Sequence, residues 1–281
     1  MTHTQKRIFI NNVVMSLSTL SAIVGIGFLF WILGVLVSNG IDALNIHIFT
    51  NEGTPPGSDE NGGLKHALLG QLYLVGFASL IGVPLGVLAG TYLSEYGKNA
   101  KHIEFIRDVS DIMMSAPSIV IGAFVYAVVV APMGHFSGWA GTVALSIIML
   151  PIILRTTDNM LALVPSTLRE AAFALGAPKY KVILQVVYRG AKTGMLTGIL
   201  LGVARVAGET APLLFTSFND NFLNTDMMEP MASLTVTMYN YATSPYEDWQ
   251  RLGWAAAFIL SMFILTLNII GRLLLMKRKG K

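Results

Sequence analysis

Six long apolar runs set the class of this chain before any motif is considered. They cover about 13–37, 67–93, 112–131, 139–154, 194–216 and 253–276. A helix needs roughly 20 predominantly apolar residues to cross the hydrocarbon core of a bilayer. Charged residues make up only 12% of the chain, about half the share usual in soluble domains. The expected fold is an all-α membrane protein with six transmembrane helices. The first run follows Lys6 and Arg7 and starts like a signal peptide. It is too long for one, and no small-x-small cleavage pattern follows, so it reads as a retained signal anchor. Pro117 falls near the start of the third run, and Pro151 breaks the last turn of the fourth.

Lysine and arginine orient the runs, because cytoplasmic loops carry the excess of positive charge. With the N terminus inside, all but three of the 19 basic residues fall on inner segments. The exceptions are Lys65 and Arg251 in outer loops and Arg205 within a run. An even number of spans leaves both termini inside, with a basic cytoplasmic tail at 277–281. Trp31, Tyr92, Tyr96, Trp139, Trp249 and Trp254 sit near run ends, where amphipathic rings favour the interface. The outer loops are acidic: Asp42, Glu52, Asp59, Glu60, Asp220, Asp226, Glu229, Glu247 and Asp248 face two basic residues. Such a surface repels a free anion rather than steering it inward. An anionic substrate would best arrive carried by another protein.

The longest inner segment, 163–192, is punctuated as two short helices. Pro165 opens it, and Thr167 with Glu170 has the spacing of a capping box. Leu168, Ala171, Ala172 and Leu175 then fall on one helical face. Gly176 stands where a helix takes a left-handed C′ residue, and Pro178 can begin a second helix. Tyr180, Ile183, Leu184 and Val187 give that second helix its own stripe. The expected product is a helix–glycine–helix elbow rimmed by Arg169, Lys179, Lys181, Arg189 and Lys192, with a docking surface for a partner. An ordinary loop folded back on the spans is the alternative.

Two features lie inside the apolar runs. Gly82, Gly86 and Gly90 recur in the second, and Gly194, Gly198 and Gly202 in the fifth. Small residues at every fourth position let helix backbones approach closely in lipid. The fifth run also holds Arg205 and Glu209, four residues apart and so about 6 Å along one helix face. Each costs about 2.5–3.5 kcal/mol on insertion scales, so a pair facing the bundle interior is expected. Arg205 offers a planar donor fork suited to phosphate or carboxylate oxygens. Glu209 would hold that fork when no anion is present. A purely structural ion pair is the other reading.

Several chemistries are excluded. The chain has no cysteine, and its five histidines are scattered, reading as interfacial or loop residues rather than metal ligands. No G-x-x-x-x-G-K-[ST] loop is present, and no catalytic carboxylate pair or Ser/His/Asp set stands out. The chain is read as a transport subunit without an ATPase site, no cofactor of its own and no nucleic-acid partner.

Glu170-Ala171-Ala172 followed by Gly176 resembles the EAA loop of ABC-importer permeases, the part that fits a cleft of the ATPase. Across almost its whole length the chain is similar to the PstA-type permeases of bacterial phosphate ABC importers. The similarity is carried by 115–122, 135–141, 155–157, 168–176, 225–228 and above all Ala204-Arg-Val-Ala-Gly-Glu-Thr-Ala-Pro-Leu-Leu-Phe-Thr216. Tyr188-Arg189 stands where many such permeases continue with Leu-Pro. The resemblance implies a MetI-like type I importer bundle in the bacterial inner membrane. It divides the chain into an anchor helix and first periplasmic loop (1–65), a permease domain (66–276) and the tail. It implies a phosphate path at Arg205, Glu209 and Thr210, and an ATPase dock at Arg169, Glu170, Ala171, Ala172 and Gly176. The implied partners are a sister permease (PstC-type), a cytoplasmic ATPase dimer (PstB-type) that binds ATP and Mg, and a periplasmic phosphate-binding protein (PstS-type). The same elbow would serve a permease for another oxyanion. A membrane component reporting phosphate status would need no open path. A carrier using Glu209 as a proton site would have no use for the elbow.

Overall fold

The computed structural model describes residues 3–57, 62–97 and 101–276; Asp59, Glu60, Lys98 and the basic tail lie outside them. The secondary structure of the described residues is helical throughout. Helix α1 (His3–Ala43) is 41 residues long, about 60 Å at 1.5 Å per residue. Almost all its apolar side chains point outward, Phe30 at 70% exposure. It meets the other helices near its C-terminal end, where Gly40 abuts Phe258 of α13 (Glu247–Met276). Ala43, Ala255, Ala256 and Leu260 close a small core there with Ile48 of α2 (His47–Thr50).

The centre of the bundle is α7 (Gly138–Ala162), N-capped by Ser137, whose Oγ accepts from the Ala140 amide at 3.2 Å. It is gripped by glycine on two sides. Gly82, Gly86 and Gly90 of α3 (Lys65–Thr91) press on Met149, Ile153 and Leu154. Gly194, Gly198 and Gly202 of α10 (Tyr188–Ala207) press on Met160, Thr156 and Ile153. A Cβ at Gly86 would stand 2.8 Å from Ile153 Cβ, and one at Gly90 2.5 Å from the Leu154 carbonyl oxygen. Both glycine stripes therefore pack within this chain, and on the same helix. Pro151 lies inside α7 without ending it. Neighbouring helices make a proline tolerable in a membrane span, so the helix runs to Ala162 rather than stopping near Leu154.

The other spans depart further from expectation. The third apolar run is not a single helix. α4 (Lys101–Ser115) and α5 (Ser118–Val125) are bent by 102° across Ala116-Pro117. Proline disfavours the helical conformation for the residue before it, so residues 101–110, expected as part of an inner loop, join the start of the third run as a separate helix. α5 continues through a π-helical turn, Tyr126–Val130, into α6 (Ala131–Met133), which Gly134 ends at φ 78°. The fifth run also breaks: α10 starts at Tyr188 and stops at Ala207, short of Thr216. Among the described residues, four helices are long and apolar enough to cross a membrane, or five if the bent pair is one span. α10 is not among them, its first turns carrying Arg189, Lys192 and Thr193. The six-helix count is thus not reproduced among the described residues.

The loop after the fifth run folds back into the protein. α11 (Ala211–Leu214) forms from the broken end of the run and α12 (Leu234–Ala242) lies within the loop, and Thr216, Ser217, Ser233, Thr235 and Thr237 are fully buried. His66, expected at an interface or in a loop, is buried in the first turn of α3.

Candidate functional site

The elbow forms as two helices, α8 (Ser166–Ala174) and α9 (Lys179–Val182). Its punctuation differs from the expected one at the start. Pro165 occupies the N-cap position with ψ 139°, no side chain caps α8, and the Thr167–Glu170 box does not form. The C-terminal signal does: Gly176 has φ 77°, its amide bonds the Phe173 carbonyl at 2.9 Å, and Ala177 bonds Ala172 at 3.2 Å. This pair of bonds is the Schellman arrangement, and φ > 0 is why glycine stands there. Pro178 is the N-cap of α9 rather than its first residue. α9 passes through a π turn, Ile183–Val187, directly into α10, so the elbow's second helix is the start of the next span.

The second stripe is split: Ile183 and Val187 are buried, Val187 packing with Leu161, Val164, Val182 and Ala191, while Tyr180 and Leu184 are exposed. On α8, Leu168 and Phe173 are exposed, as is Leu175 at the helix end at 89%. Glu170, Ala171 and Gly176 are also exposed, and Ala172 is half-buried. The elbow thus shows a partly apolar surface instead of folding it back on the spans. Arg169 leaves the expected rim. It is buried, donating to Glu95 at 2.6 and 3.2 Å, to the Leu161 carbonyl at 2.8 Å and to the Val164 carbonyl. Those charge-assisted hydrogen bonds compensate the guanidinium for the water it gives up.

Arg205 and Glu209 come together at the break in the fifth run. Arg205 lies in the last turn of α10; Gly208 ends that helix, and Glu209 and Thr210 lead into α11. The two residues do not share a continuous helix, yet Arg205 Nη2 and Glu209 Oε1 are 3.5 Å apart. The Arg205 side chain is 50% exposed and that of Glu209 13%. Pro212 opens α11 and packs against Gly122 of α5. The guanidinium borders an open chamber of about 570 Å³ walled by α4, α5, α7, α10 and α13. Its lining is mostly apolar, with Ser118 and Asn268 as further polar members.

An interrupted helix in a membrane must satisfy the backbone groups it frees. Here Gln71 of α3 does so: its Nε2 donates to the Ala207 carbonyl and its Oε1 accepts from the Leu234 amide, each at 3.0 Å. Thr235 Oγ1 donates to the Glu209 carbonyl at 2.9 Å. α4 is held to α7 by ion pairs: Arg107 is bidentate to Asp158 (2.8 and 3.0 Å), and Arg155 reaches Asp111 at 2.8 Å and Asp158 at 3.6 Å. Gln71, Glu95 and this charge cluster were absent from the sequence-based site. The usable signal was a lone polar residue within or beside an apolar run. Among the described residues, no three histidine or carboxylate side chains gather as a metal site.

Residues 82–278 match the family model described as a binding-protein-dependent transport system inner membrane component. The chain is 51% identical over 269 residues to the phosphate transport system permease protein PstA of Haemophilus influenzae, covering 96% of this chain and 95% of that one. It is 48% identical to the protein of the same description from Yersinia pestis, over 96% and 91% of the two chains. A probable phosphate permease of Methanocaldococcus jannaschii is 37% identical over 76% of each. Among solved structures, an inward-facing MetNI methionine ABC transporter shares the fold, with a TM-score of 0.60 at 20% identity over 75% of this chain and 92% of that one.

Proposed function

The chain belongs to the inner-membrane components of binding-protein-dependent transport systems, and from that premise we propose that it carries inorganic phosphate along a path past Arg205. It is a permease subunit of an ABC importer, and ATP hydrolysis belongs to a separate subunit. The observation that supports the path is the Arg205–Glu209 pair at an interrupted helix, beside an open chamber between spans. At 3.5 Å and half exposed, the guanidinium is only loosely held. A phosphate entering the chamber would take the fork over with two parallel hydrogen bonds. Glu209 would then reclaim the arginine as the anion leaves, so that the site binds without trapping. Thr210 stands next in the chain, at the mouth of α11.

The partners follow from the family at a coarse level: a second permease, an ATPase and a soluble binding protein. In this reading they are a PstC-type sister, a PstB-type ATPase dimer and a PstS-type phosphate carrier. The exposed Leu168, Phe173 and Leu175 of the elbow, with Glu170, Ala171 and Ala172, would enter the ATPase cleft. Both termini would lie in the cytoplasm, as the basic residues suggest. The acidic outer loops would then leave phosphate delivery to the binding protein. Asp220 and Asp226 there accept from the amides of Phe222 and Met228, so these carboxylates also shape their own turns. The test is uptake by the reconstituted four-component complex. Labelled phosphate should accumulate only with ATP and binding protein, and phosphonate or molybdate should compete poorly. Equal transport of another oxyanion would overturn the substrate assignment.

A further inference from the structure

The elbow is joined to the bundle by a buried charge. Arg169 belongs to α8, yet four N–H groups of its guanidinium are bonded inside the protein, two to Glu95 and one each to the Leu161 and Val164 carbonyls. Glu95 belongs to Tyr92–Tyr96, the π-helical turn that ends α3, and its side chain is only 6% exposed. Leu161 belongs to the end of α7, and Val164 to the link between α7 and α8. A second contact meets the same turn: Lys179, the first residue of α9, holds its Nζ 4.0 Å from the centre of the Tyr96 ring. Both helices of the elbow are therefore fastened to adjacent residues of one turn. π turns are rare in helices and recur at functional positions.

That turn leads into the most closely packed part of the bundle. α3 presses Gly82 and Gly86 onto the Met149 and Ile153 side chains of α7 and Gly90 onto the Leu154 carbonyl, and the glycines leave no Cβ on the α3 side to yield. α7 in turn contributes Ile148 and Ile152 to the wall of the Arg205 chamber. A buried ion pair is poor at adding stability compared with apolar packing, but separating it strands a charge. It suits a joint that must not open. We infer that the Glu95–Arg169 pair is the pin through which the elbow moves α3 and α7 as one body, so that motion of the ATPase reshapes the chamber. Glu95 and Arg169 are positioning residues: they transmit the motion and contact neither phosphate nor the ATPase. The inference rests on the elbow being the ATPase dock.

The reconstituted complex tests it. Glu95→Gln keeps the shape and removes the charge. It should leave the ATPase bound and hydrolysing ATP, while phosphate moved per ATP falls at least fivefold; Glu95→Asp should fall between. An unchanged ratio overturns the inference, and so does loss of the ATPase from an inserted complex, which would make the pair part of the dock itself. A second measurement leaves the pair intact and does not depend on the variant folding. The chain has no cysteine, so spin labels can be placed at Leu80→Cys on α3 and Thr167→Cys on α8. Some 15 residues, or about 22 Å of helix, separate Leu80 from Glu95. The distance between labels should be the same within about 2 Å, the scale of small helix shifts, in nucleotide-free and ATP-trapped complexes. A larger change overturns the inference. Leu175→Asp on the exposed elbow reports on the dock alone: full retention of the ATPase there would remove the docking premise whatever the labels show.

Discussion

Removing both members of the Arg205–Glu209 pair separates a phosphate path from a structural strut. The pair is a single contact at 3.5 Å, and one partner is half exposed. Ion pairs of that kind contribute about 0–1 kcal/mol. Arg205→Gln together with Glu209→Gln should therefore fold, insert and assemble with nearly normal yield, and no lone charge is left in the membrane. A charge-assisted hydrogen bond to phosphate contributes more, about 1.5–3 kcal/mol. At 1.36 kcal/mol per factor of ten, its loss should lower uptake by roughly ten- to more than a hundredfold. The single Arg205→Lys variant should recover only part of this, since an ammonium keeps the charge but lacks the planar fork. The assay is initial uptake of labelled phosphate, normalised to complex recovered with the ATPase bound. Near-normal uptake by the double variant would refute the path and leave phosphate handling to the sister permease.

Three further outcomes are expected. Gly176→Val forces a β-branched residue to φ 77°, against a cost of roughly 1–2 kcal/mol for left-handed backbone, and should release the ATPase without preventing insertion; co-purification of a full ATPase complement would argue against it. Cysteine at Thr225 should react with an impermeant thiol reagent on intact cells and cysteine at Ser166 only after lysis, and labelling of Ser166 from outside would reverse the orientation. Gln71→Leu removes two buried hydrogen bonds and leaves two backbone groups unpaired, each a cost of about 1–3 kcal/mol; thermal inactivation of the complex should shift downward by several degrees, and an unchanged profile would mean that water replaces the amide.

What the sequence disclosed was what depends on neighbours along the chain. The C′ glycine at Gly176 and the glycine repeats are local signals and found their places, whereas the third and fifth of the apolar runs broke. The repeats left open whether their partner was this chain, because a stripe of glycines carries no trace of what presses on it. Arg169 was placed on the rim for the same reason: its partner Glu95 stands 74 residues away. The break at Gly208 depends on partners far along the chain: the Ala207 and Glu209 carbonyls on either side of it are held by Gln71 and Thr235. Residues 217–251 read as an outer loop because buried serines and threonines have no apolar period. Their burial depends on the hydrogen bonds that α12 brings with it.

The π turn at Ile183–Val187 also bears on how chains of this kind can change in length. One residue added to or lost from a regular α-helix turns everything beyond it by 100°. Such a change between the elbow and α10 would carry the exposed leucines of α8 away from whatever they meet. A π turn already holds a surplus residue in a local widening. Deleting one residue there restores an ordinary helix while the faces on either side keep their phase. A relative one residue shorter between Gly176 and Gly194 therefore belongs, in alignment, with its gap at this turn, and its elbow would point the same way.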